Sequence, residues 1–214
     1  MPLLAYCLAE ARDEISFPQA GVQGMPLRSV RSGNLECLVS DFETSSVAGR
    51  APIKDAALEF NRTLQDLLKQ STIVPFRFPT VLADENELLE FLTEHAAEYE
   101  GVLARLRGTV QIDIRVEMPD SESTTKPSGT EYLRSREARY DALQEIAAEF
   151  RRAGNEWVRQ WRDRDTARGL RCSALLGREH VNAFLAAAKQ LKLPQGCNAR
   201  VSGPWPPAEF VKEK

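Results

Sequence analysis

The clearest period-two pattern in the chain runs from Val110 to Glu117. Val110, Ile112, Ile114 and Val116 alternate there with polar residues. Successive side chains of a β-strand point to opposite faces, so this alternation predicts a strand that is buried on one side only.

Five further segments predict strands. Each is a short run rich in apolar residues and bounded by Gly, Pro or polar residues. The third contains Pro75 and ends at Pro79, which predicts an edge or irregular strand because proline cannot donate to a hydrogen-bonded ladder. The five segments are Leu3–Leu8, Glu36–Phe42, Ile73–Phe78, Leu170–Leu176 and Cys197–Val201.

Apolar residues recur at intervals of three and four in four other segments, which is typical of amphipathic helices. One helix follows Pro52 and carries Ile53 and Phe60 on its apolar face. A second starts at Asp84, with acidic residues in its first turn, and continues to Leu106. A third is long, from about Glu131 to Asp163 with an interruption near Gly154, and the last carries Phe184 and is closed by Pro194.

A strongly basic segment lies between Arg151 and Arg171 and contains Trp157 and Trp161. The two tryptophans are four residues apart and continue the apolar series of the long helix, which predicts that they are buried while the arginines line a solvated helix face. A patch for a protein partner and a nucleic-acid site are the alternatives. Nucleic-acid binding would weaken steeply with salt, and the net charge of -3 disfavours it.

The elements follow one another as ββαβαβ, then αβαβ, then a C-terminal segment, and no Gly-rich phosphate loop follows a strand. This order predicts an α+β protein built from two ferredoxin-like α/β-sandwich halves and an extended Pro-rich C-terminal tail. The polar stretch from Pro119 to Thr130 marks the expected boundary. We expect an N-terminal ferredoxin-like domain over 1–118, a second α+β domain with a long helix over 119–203, and the tail over 204–214.

Composition is that of a globular protein, with 214 residues, 43% of them hydrophobic and 28% charged. No apolar run is long enough to cross a bilayer, and the apolar start has neither a basic segment nor a cleavage site, which predicts a cytoplasmic location. The four cysteines are scattered without a CxxC pair, which favours buried free thiols over zinc ligands or disulfides.

Little in the chain suggests catalysis. It has two histidines, and no GxSxG, P-loop or HExxH motif. His95 lies on the apolar stripe of the second helix, where a packed histidine is the simpler interpretation, and His180 stands beside Glu179 at the start of the last helix. We therefore predict no catalytic residue, no cofactor site and no metal site.

Arg77 stands between Phe76 and Phe78, and strict alternation would place it on the face opposite to both. We expect this charged side to face the core, where Arg77 needs a carboxylate partner. If it faces solvent instead, Arg77 can meet an acidic partner surface.

The segment Val201–Phe210, VSGPWPPAEF, is the most unusual in the chain. Its three prolines cannot continue a helix or a central strand beyond Gly203, which predicts a stiff, extended tail. Taken alone, Trp205 would simply anchor that tail on the surface of the domain.

Four other stretches precede this tail. They are PLRSVRSGNLECLVSDF (Pro26–Phe42), VPFRFPTVLADE (Val74–Glu85), RLRGTVQIDIRV (Arg105–Val116) and SGTEYLRSR (Ser128–Arg136). Together with the tail, in the same order and over nearly the whole chain, these stretches resemble the gas vesicle accessory family GvpF/GvpL. Pro79, Ala208 and Glu209 depart from the family pattern.

The resemblance implies a modified ferredoxin-like N-terminal domain and a second α+β domain that carries the C-terminal segment. It also implies a binding protein, located in the cytoplasm and at the gas vesicle, that associates with the hydrophobic shell protein and other accessory proteins. We expect this protein to be monomeric. Such a protein would support vesicle nucleation or formation, as an assembly factor or also as a minor vesicle component, without binding nucleic acid or a membrane. The alternative is a small-molecule sensor or enzyme that uses a cleft between the halves. The candidate partner contacts are Arg77, Arg159, Arg162, Trp205 and Phe210.

Overall fold

Eight strands and five α-helices are formed by the residues described in the computed structural model, which are 1–11, 16, 18, 20–43, 50–118, 128–166 and 169–212. The strands make two four-stranded antiparallel sheets. In chain order the elements are β1 (Leu3–Glu10), β2 (Arg28–Ser32), β3 (Leu35–Asp41), α1 (Arg50–Leu68), β4 (Val74–Leu82), α2 (Glu85–Glu94), α3 (Ala96–Leu106), β5 (Thr109–Glu117), α4 (Gly129–Ala153), β6 (Val158–Thr166), β7 (Gly169–Gly177), α5 (Val181–Gln190) and β8 (Asn198–Trp205).

The chain divides into two compact units whose bounds differ from those expected from sequence. The first unit comprises Met1–Thr109 together with Pro206–Lys214, and the second comprises Val110–Trp205. Strand β5, which the sequence analysis assigned to the first domain, pairs with β8 and belongs to the second sheet. The chain therefore begins and ends in the same unit.

In the first unit the strand order is β2-β3-β1-β4. Strand β1 is buried on both faces from Leu3 to Ala9, as its nearly continuous apolar sequence requires. On one face the ring of Tyr6 stacks on Phe60 of α1, with centroids 4.9 Å apart. Helices α2 and α3 also pack against this sheet.

The helix predicted to start at Asp84 is two helices. Its start is confirmed, since the carboxylate of Asp84 accepts a hydrogen bond from the Glu87 amide at 3.0 Å and Glu87 bonds back to the amide of Ala83. The helix is interrupted at His95, whose backbone φ of -105° and ψ of 11° leave the helical range. The apolar stripe continues across this break and conceals it in the sequence.

The second unit has the element order β-α-β-β-α-β and the strand order β6-β7-β5-β8, which is the ferredoxin-like arrangement. The first unit has the same strand order. In the second unit, α4 and α5 cover one face of the sheet. Their buried side chains include Ile146 and Phe150 from α4 and Phe184 from α5.

The long helix predicted to reach Asp163 is too long. Helix α4 ends at Ala153 with Gly154 as its C-cap, and Val158–Thr166 is strand β6. A spacing of four residues places two side chains on one face of a helix and also on one face of a strand. The spacing of the two tryptophans therefore did not reveal the end of the helix, after which Trp157 lies in a turn and Trp161 in β6.

The predicted extended tail is absent from the part of the C-terminal segment that the structure describes. Strand β8 continues through Gly203 to Trp205, which its position at the sheet edge permits despite Pro204. The chain then forms a 3-10 turn at Ala208–Phe210, with Phe210 fully buried. The guanidinium of Arg105 donates to the carbonyls of Phe210 and Val211, each at 3.1 Å.

Candidate functional site

The five candidate contact residues are divided between the two units. Arg77 and Phe210 belong to the first unit, and Arg159, Arg162 and Trp205 to the second. Arg77 and Arg159 are exposed, whereas Arg162 and Trp205 are partly buried. Phe210 has 0% exposure, so in this conformation its side chain cannot contact a partner.

Arg77 lies on a bulge at the edge of the first sheet. Ala5 of β1 pairs with Thr80, but Cys7 pairs with Pro75, so two steps along β1 correspond to five along β4. The extra residues break the alternation of the strand. The expectation that Arg77 faces the core is therefore wrong, and its side chain is exposed.

Aromatic residues anchor the two flanks of this bulge. Phe76 contacts Phe91 of α2 at 5.9 Å between centroids, and Phe78 contacts Phe60 of α1 at 5.2 Å. Farther along the same edge strand, Val81 is 38% exposed. The β4 edge, which we define as Phe76–Leu82, thus presents an arginine, a proline and an apolar side chain on an unpaired strand margin.

Five arginines share one face of the second sheet, opposite the helices. Cross-strand partners in an antiparallel sheet point to the same side, and Arg164 is directly opposite Arg171 while Arg115 is directly opposite Arg200. Arg162 is opposite Ser173 on the same side. We call this surface, with Arg115, Arg162, Arg164, Arg171 and Arg200, the arginine face.

Asp113 is the buried centre of the arginine face. Its Oδ2 accepts a hydrogen bond from Nη2 of Arg171 at 2.6 Å. Its Oδ1 accepts from Nε2 of Gln111 at 2.7 Å and from the hydroxyl of Ser173 at 2.9 Å. The ionised carboxylate is thus paired and hydrogen-bonded, as a charge at 9% exposure must be.

Four members of the arginine face form a row, which we call the arginine row, with one arginine from each strand. In sheet order they are Arg164, Arg171, Arg115 and Arg200. Arg115, Arg164 and Arg200 are exposed, and among the residues that the structure describes their side chains form no ion pair. An open depression of about 440 Å³ lies beside them, lined by Arg115, Val116, Glu117, Arg164, Thr166, Leu170 and Arg171. The row is therefore accessible to an anionic group.

Like charges directly opposite each other on neighbouring strands are destabilising, whereas favourable cross-strand pairs contribute about 0.2–1 kcal/mol each. The sheet contains two such arginine pairs, Arg164 with Arg171 and Arg115 with Arg200. Among the described residues, Arg171 is the member of these pairs that forms an ion pair with a carboxylate, that of Asp113. The two arginine pairs therefore place positive charges next to each other at a cost to the stability of the sheet.

On the opposite face of β6, Trp161 and Asp163 contact Arg151 of α4. The guanidinium of Arg151 lies 5.4 Å from the ring centroid of Trp161 and pairs with Asp163 at 2.8 Å. The indole N–H of Trp161 also donates to Asp163. Arg151 and Trp161, both in the predicted basic segment, therefore help to pack β6 against α4.

Arg159 lies on a bulge of edge strand β6, and Trp205 directly follows a bulge of edge strand β8. The register of β6 shifts between Val158 and Gln160, which leaves Arg159 on the bulge. In β8 the register shifts around Gly203, and Trp205 lies opposite Gln111. The indole N–H of Trp205 donates to the hydroxyl of Ser202 at 3.4 Å, so Trp205 belongs to the arginine face.

Each of the two histidines lies beside a glutamate. His95 packs between Phe91 and Tyr99 and lies 3.7 Å from Glu98, and His180 lies 3.4 Å from Glu179. Among the described residues, no group of three His, Cys, Asp or Glu side chains could hold a metal ion.

Three of the four cysteines are unsuited to nucleophilic chemistry. Cys7, Cys37 and Cys172 are buried free thiols, as expected, while Cys197 is partly exposed. Burial raises the pKa of the Cys7, Cys37 and Cys172 thiols well above their ordinary value. They therefore stay protonated and inert near neutral pH.

The sequence prediction did not select four arginines of this face as contact residues, nor Asp113; the four are Arg115, Arg164, Arg171 and Arg200. The alternation of β5 places Asp113 and Arg115 on one face, and that signal was available. Their proximity to Arg164 and Arg200 depends on strand order and register, which the sequence pattern did not supply.

The chain matches the family model described as gas vesicle synthesis protein GvpL/GvpF over residues 2–212. No curated protein sequence gives a significant match. None of the described helices combines the length and the apolar character needed to span a membrane.

Two solved structures have the same fold. The gas vesicle protein GvpF from Anabaena sp. PCC7120 superposes with a TM-score of 0.82 at 12% identity, covering 100% of this chain and 97% of that one. GvpF from Microcystis aeruginosa superposes with a TM-score of 0.78 at 15% identity, covering 99% of each chain. At these identities the likeness establishes the fold.

Proposed function

Because the chain belongs to the gas vesicle synthesis protein GvpL/GvpF family, we propose that it is a cytoplasmic accessory protein that binds the hydrophobic gas vesicle shell protein and supports vesicle nucleation or formation. The observation that carries this proposal is the family match, which extends over residues 2–212. The role is binding and not catalysis. Other gas vesicle accessory proteins are the further partners.

The β4 edge is the surface that we assign to the shell protein. An edge strand presents unpaired N–H and C=O groups that can pair with an extended segment of another chain. Exposed Val81 adds apolar surface, and Arg77 adds one charge at the bulge. This combination suits a partner that is hydrophobic and has an unpaired strand of its own.

Binding at this edge would cover apolar surface of the shell protein before it assembles. A strand margin left exposed on an aggregation-prone protein pairs with further copies unless another strand covers it. The accessory protein would occupy that margin and release it to the growing vesicle wall. We expect it in the cytoplasm and at the vesicle, where it can be retained as a minor component.

The experiment is coexpression of the tagged chain with the shell protein encoded beside it, followed by quantitative pull-down. We expect the wild type to capture the shell protein. Val81→Lys should reduce capture by about tenfold, because a lysine on an edge strand opposes pairing with a second chain. Arg77→Ala then tests whether the charge at the bulge contributes.

Leu133→Lys is the matched control. Leu133 is 64% exposed on α4, so the substitution also replaces an exposed apolar residue with lysine, but in the second unit. Capture should be unchanged. If a soluble and abundant shell protein is never captured by the wild type, shell binding is excluded; equal losses with both lysine variants would exclude the β4 edge.

A further inference from the structure

The arginine row is a second surface with chemistry different from that of the β4 edge. It lies entirely within the second unit and takes one arginine from each of the four strands. Neighbouring strands are about 4.8 Å apart, so four strands place the arginines across about 14 Å. The row runs across the strands and is open at the depression lined by Arg115, Arg164 and Arg171.

Folding alone does not account for this row. Directly opposed arginines repel each other, and uncharged residues at these positions would pair better. Asp113 offsets the charge of Arg171, but three exposed arginines have no carboxylate partner among the described residues. Glu117, which like Asp113 is two residues from Arg115 in β5, lines the same depression.

The spacing suits carboxylates on a helix. Residues three or four apart on a helix face lie about 5–6 Å apart, close to the distance between strands. About three helical turns would cover the whole row. Each of the three exposed guanidinium groups, those of Arg115, Arg164 and Arg200, can then take one carboxylate in the forked geometry that arginine and carboxylate groups favour.

A nucleic acid fits less well. Proteins that hold single strands combine basic grooves with aromatic side chains on which bases stack. The row itself has no aromatic member, and the indole N–H of nearby Trp205 is bonded to Ser202. Glu117 beside the row and the net charge of -3 also oppose a polyanion.

We infer that the arginine row, formed by Arg115, Arg164, Arg171 and Arg200, binds the acidic face of an amphipathic helix on a partner protein. The helix lies across the strands, with about one carboxylate per turn directed at the row. The inference holds whether or not the shell protein binds at the β4 edge, because the two surfaces are formed by different residues.

The test uses fluorescence anisotropy with the full chain and a labelled, alanine-based helical peptide of about 16 residues carrying about one glutamate per turn along one face. A second peptide has glutamine in place of every glutamate. The triple variant R115Q/R164Q/R200Q removes three charges from the row and leaves the Arg171–Asp113 pair intact. The control R62Q/R134Q/R136Q removes three exposed arginines from α1 and α4.

We expect the acidic peptide to bind the wild type and the control triple equally, and the row triple about tenfold more weakly. Binding should weaken as sodium chloride is raised, since exposed charges are screened. Because the row arginines repel one another, the row triple should keep its melting temperature or gain slightly, and Arg164→Gln alone should show a smaller loss of binding with the fold intact.

Three results would overturn the inference. Equal weakening in both triple variants would indicate attraction to overall charge only. Equal affinity for the glutamine peptide would show that carboxylates are not recognised. Tighter binding of a labelled oligothymidine, lost in the row triple, would assign the row to nucleic acid instead.

Discussion

At the scale of single residues, Tyr6 shows how one polar atom organises a core. Its side chain has 0% exposure, and its hydroxyl accepts a hydrogen bond from the Val22 amide at 2.7 Å and shares one with the Ser40 hydroxyl at 3.1 Å. Val22 and Ser40 are buried as well. One hydroxyl therefore satisfies groups from β3 and from the segment between β1 and β2.

Tyr6→Phe keeps the stacking on Phe60 but removes this hydroxyl. We expect the free energy of unfolding to fall by about 1–3 kcal/mol, because two buried polar groups lose their partner. Urea denaturation measures the change. Tyr140→Phe, at a side chain that is 47% exposed, is the control and should change stability by less than about 0.5 kcal/mol. A Tyr6→Phe loss no larger than that would contradict the assigned role.

The same residue predicts a pH dependence. Burial raises the pKa of Tyr6 in the folded state, mainly by desolvating the phenolate. A raised folded pKa means that its contribution is complete below the unfolded value of about 10 and is lost as pH rises through the folded value. Wild-type stability should therefore decline more steeply above pH ~10 than that of Tyr6→Phe.

At the scale of elements, the sequence predicted periodic segments better than it predicted their ends. The Asp84 cap and the strand at Val110–Glu117 were predicted correctly, because each depends on neighbours within a few residues. The expectation that this strand is buried on one side only was wrong, since Gln111 and Asp113 on its polar face are buried too. The break at His95 and the change from α4 to β6 were missed, because residues spaced by four suit a continuous helix in both places. Tertiary contacts decide these points, such as the Phe184 ring packed against Gly154.

The candidate contact residues were likewise predicted only where local sequence was sufficient. Arg162 and Trp205 were selected from sequence and do lie on the arginine face, whereas Phe210 is buried in the first unit. Arg200 was missed, because it joins Arg115 only through the register of β5 and β8. No local pattern in the sequence specifies that pairing.

The bulge in β8 supplies an element-scale prediction. Gly203 has φ of +133°, and a Cβ there would lie 2.9 Å from the carbonyl oxygen of Gln111. Gly203→Ala should therefore destabilise the protein by more than about 1 kcal/mol, because both the backbone conformation and the contact oppose a side chain.

Gly101→Ala provides a control of opposite sign. Gly101 lies within α3, and a Cβ there meets nothing within 4 Å, so alanine should stabilise the helix by about 0.5–1 kcal/mol. Thermal denaturation of both variants measures the two effects. A neutral Gly203→Ala would mean that the bulge tolerates a side chain and does not fix the position of Trp205.

At the scale of the whole molecule, the chain conserves the arrangement of the family while sharing few residues with its solved members. Identities of 12% and 15% accompany TM-scores of 0.82 and 0.78. A fold can persist at such identities because burial and strand pairing depend on apolar periodicity, which different apolar side chains satisfy. The charged surfaces are free to differ, so the arginine row must be tested in this chain itself.

The return of the C-terminal segment to the first unit gives the last prediction. Phe210 is fully buried, and Arg105 of α3 holds the carbonyls of Phe210 and Val211. Phe210→Ala should lower the free energy of unfolding by about 3–5 kcal/mol, since a large buried ring leaves a cavity. Phe210→Leu keeps an apolar side chain and should cost less than half as much.

In the Phe210→Ala variant, hydrogen exchange should also speed up in α3, because the turn that holds Arg105 loosens. If Phe210→Ala left both stability and exchange in α3 unchanged, the segment would be a free tail after all, and Phe210 would again be a candidate for partner contact.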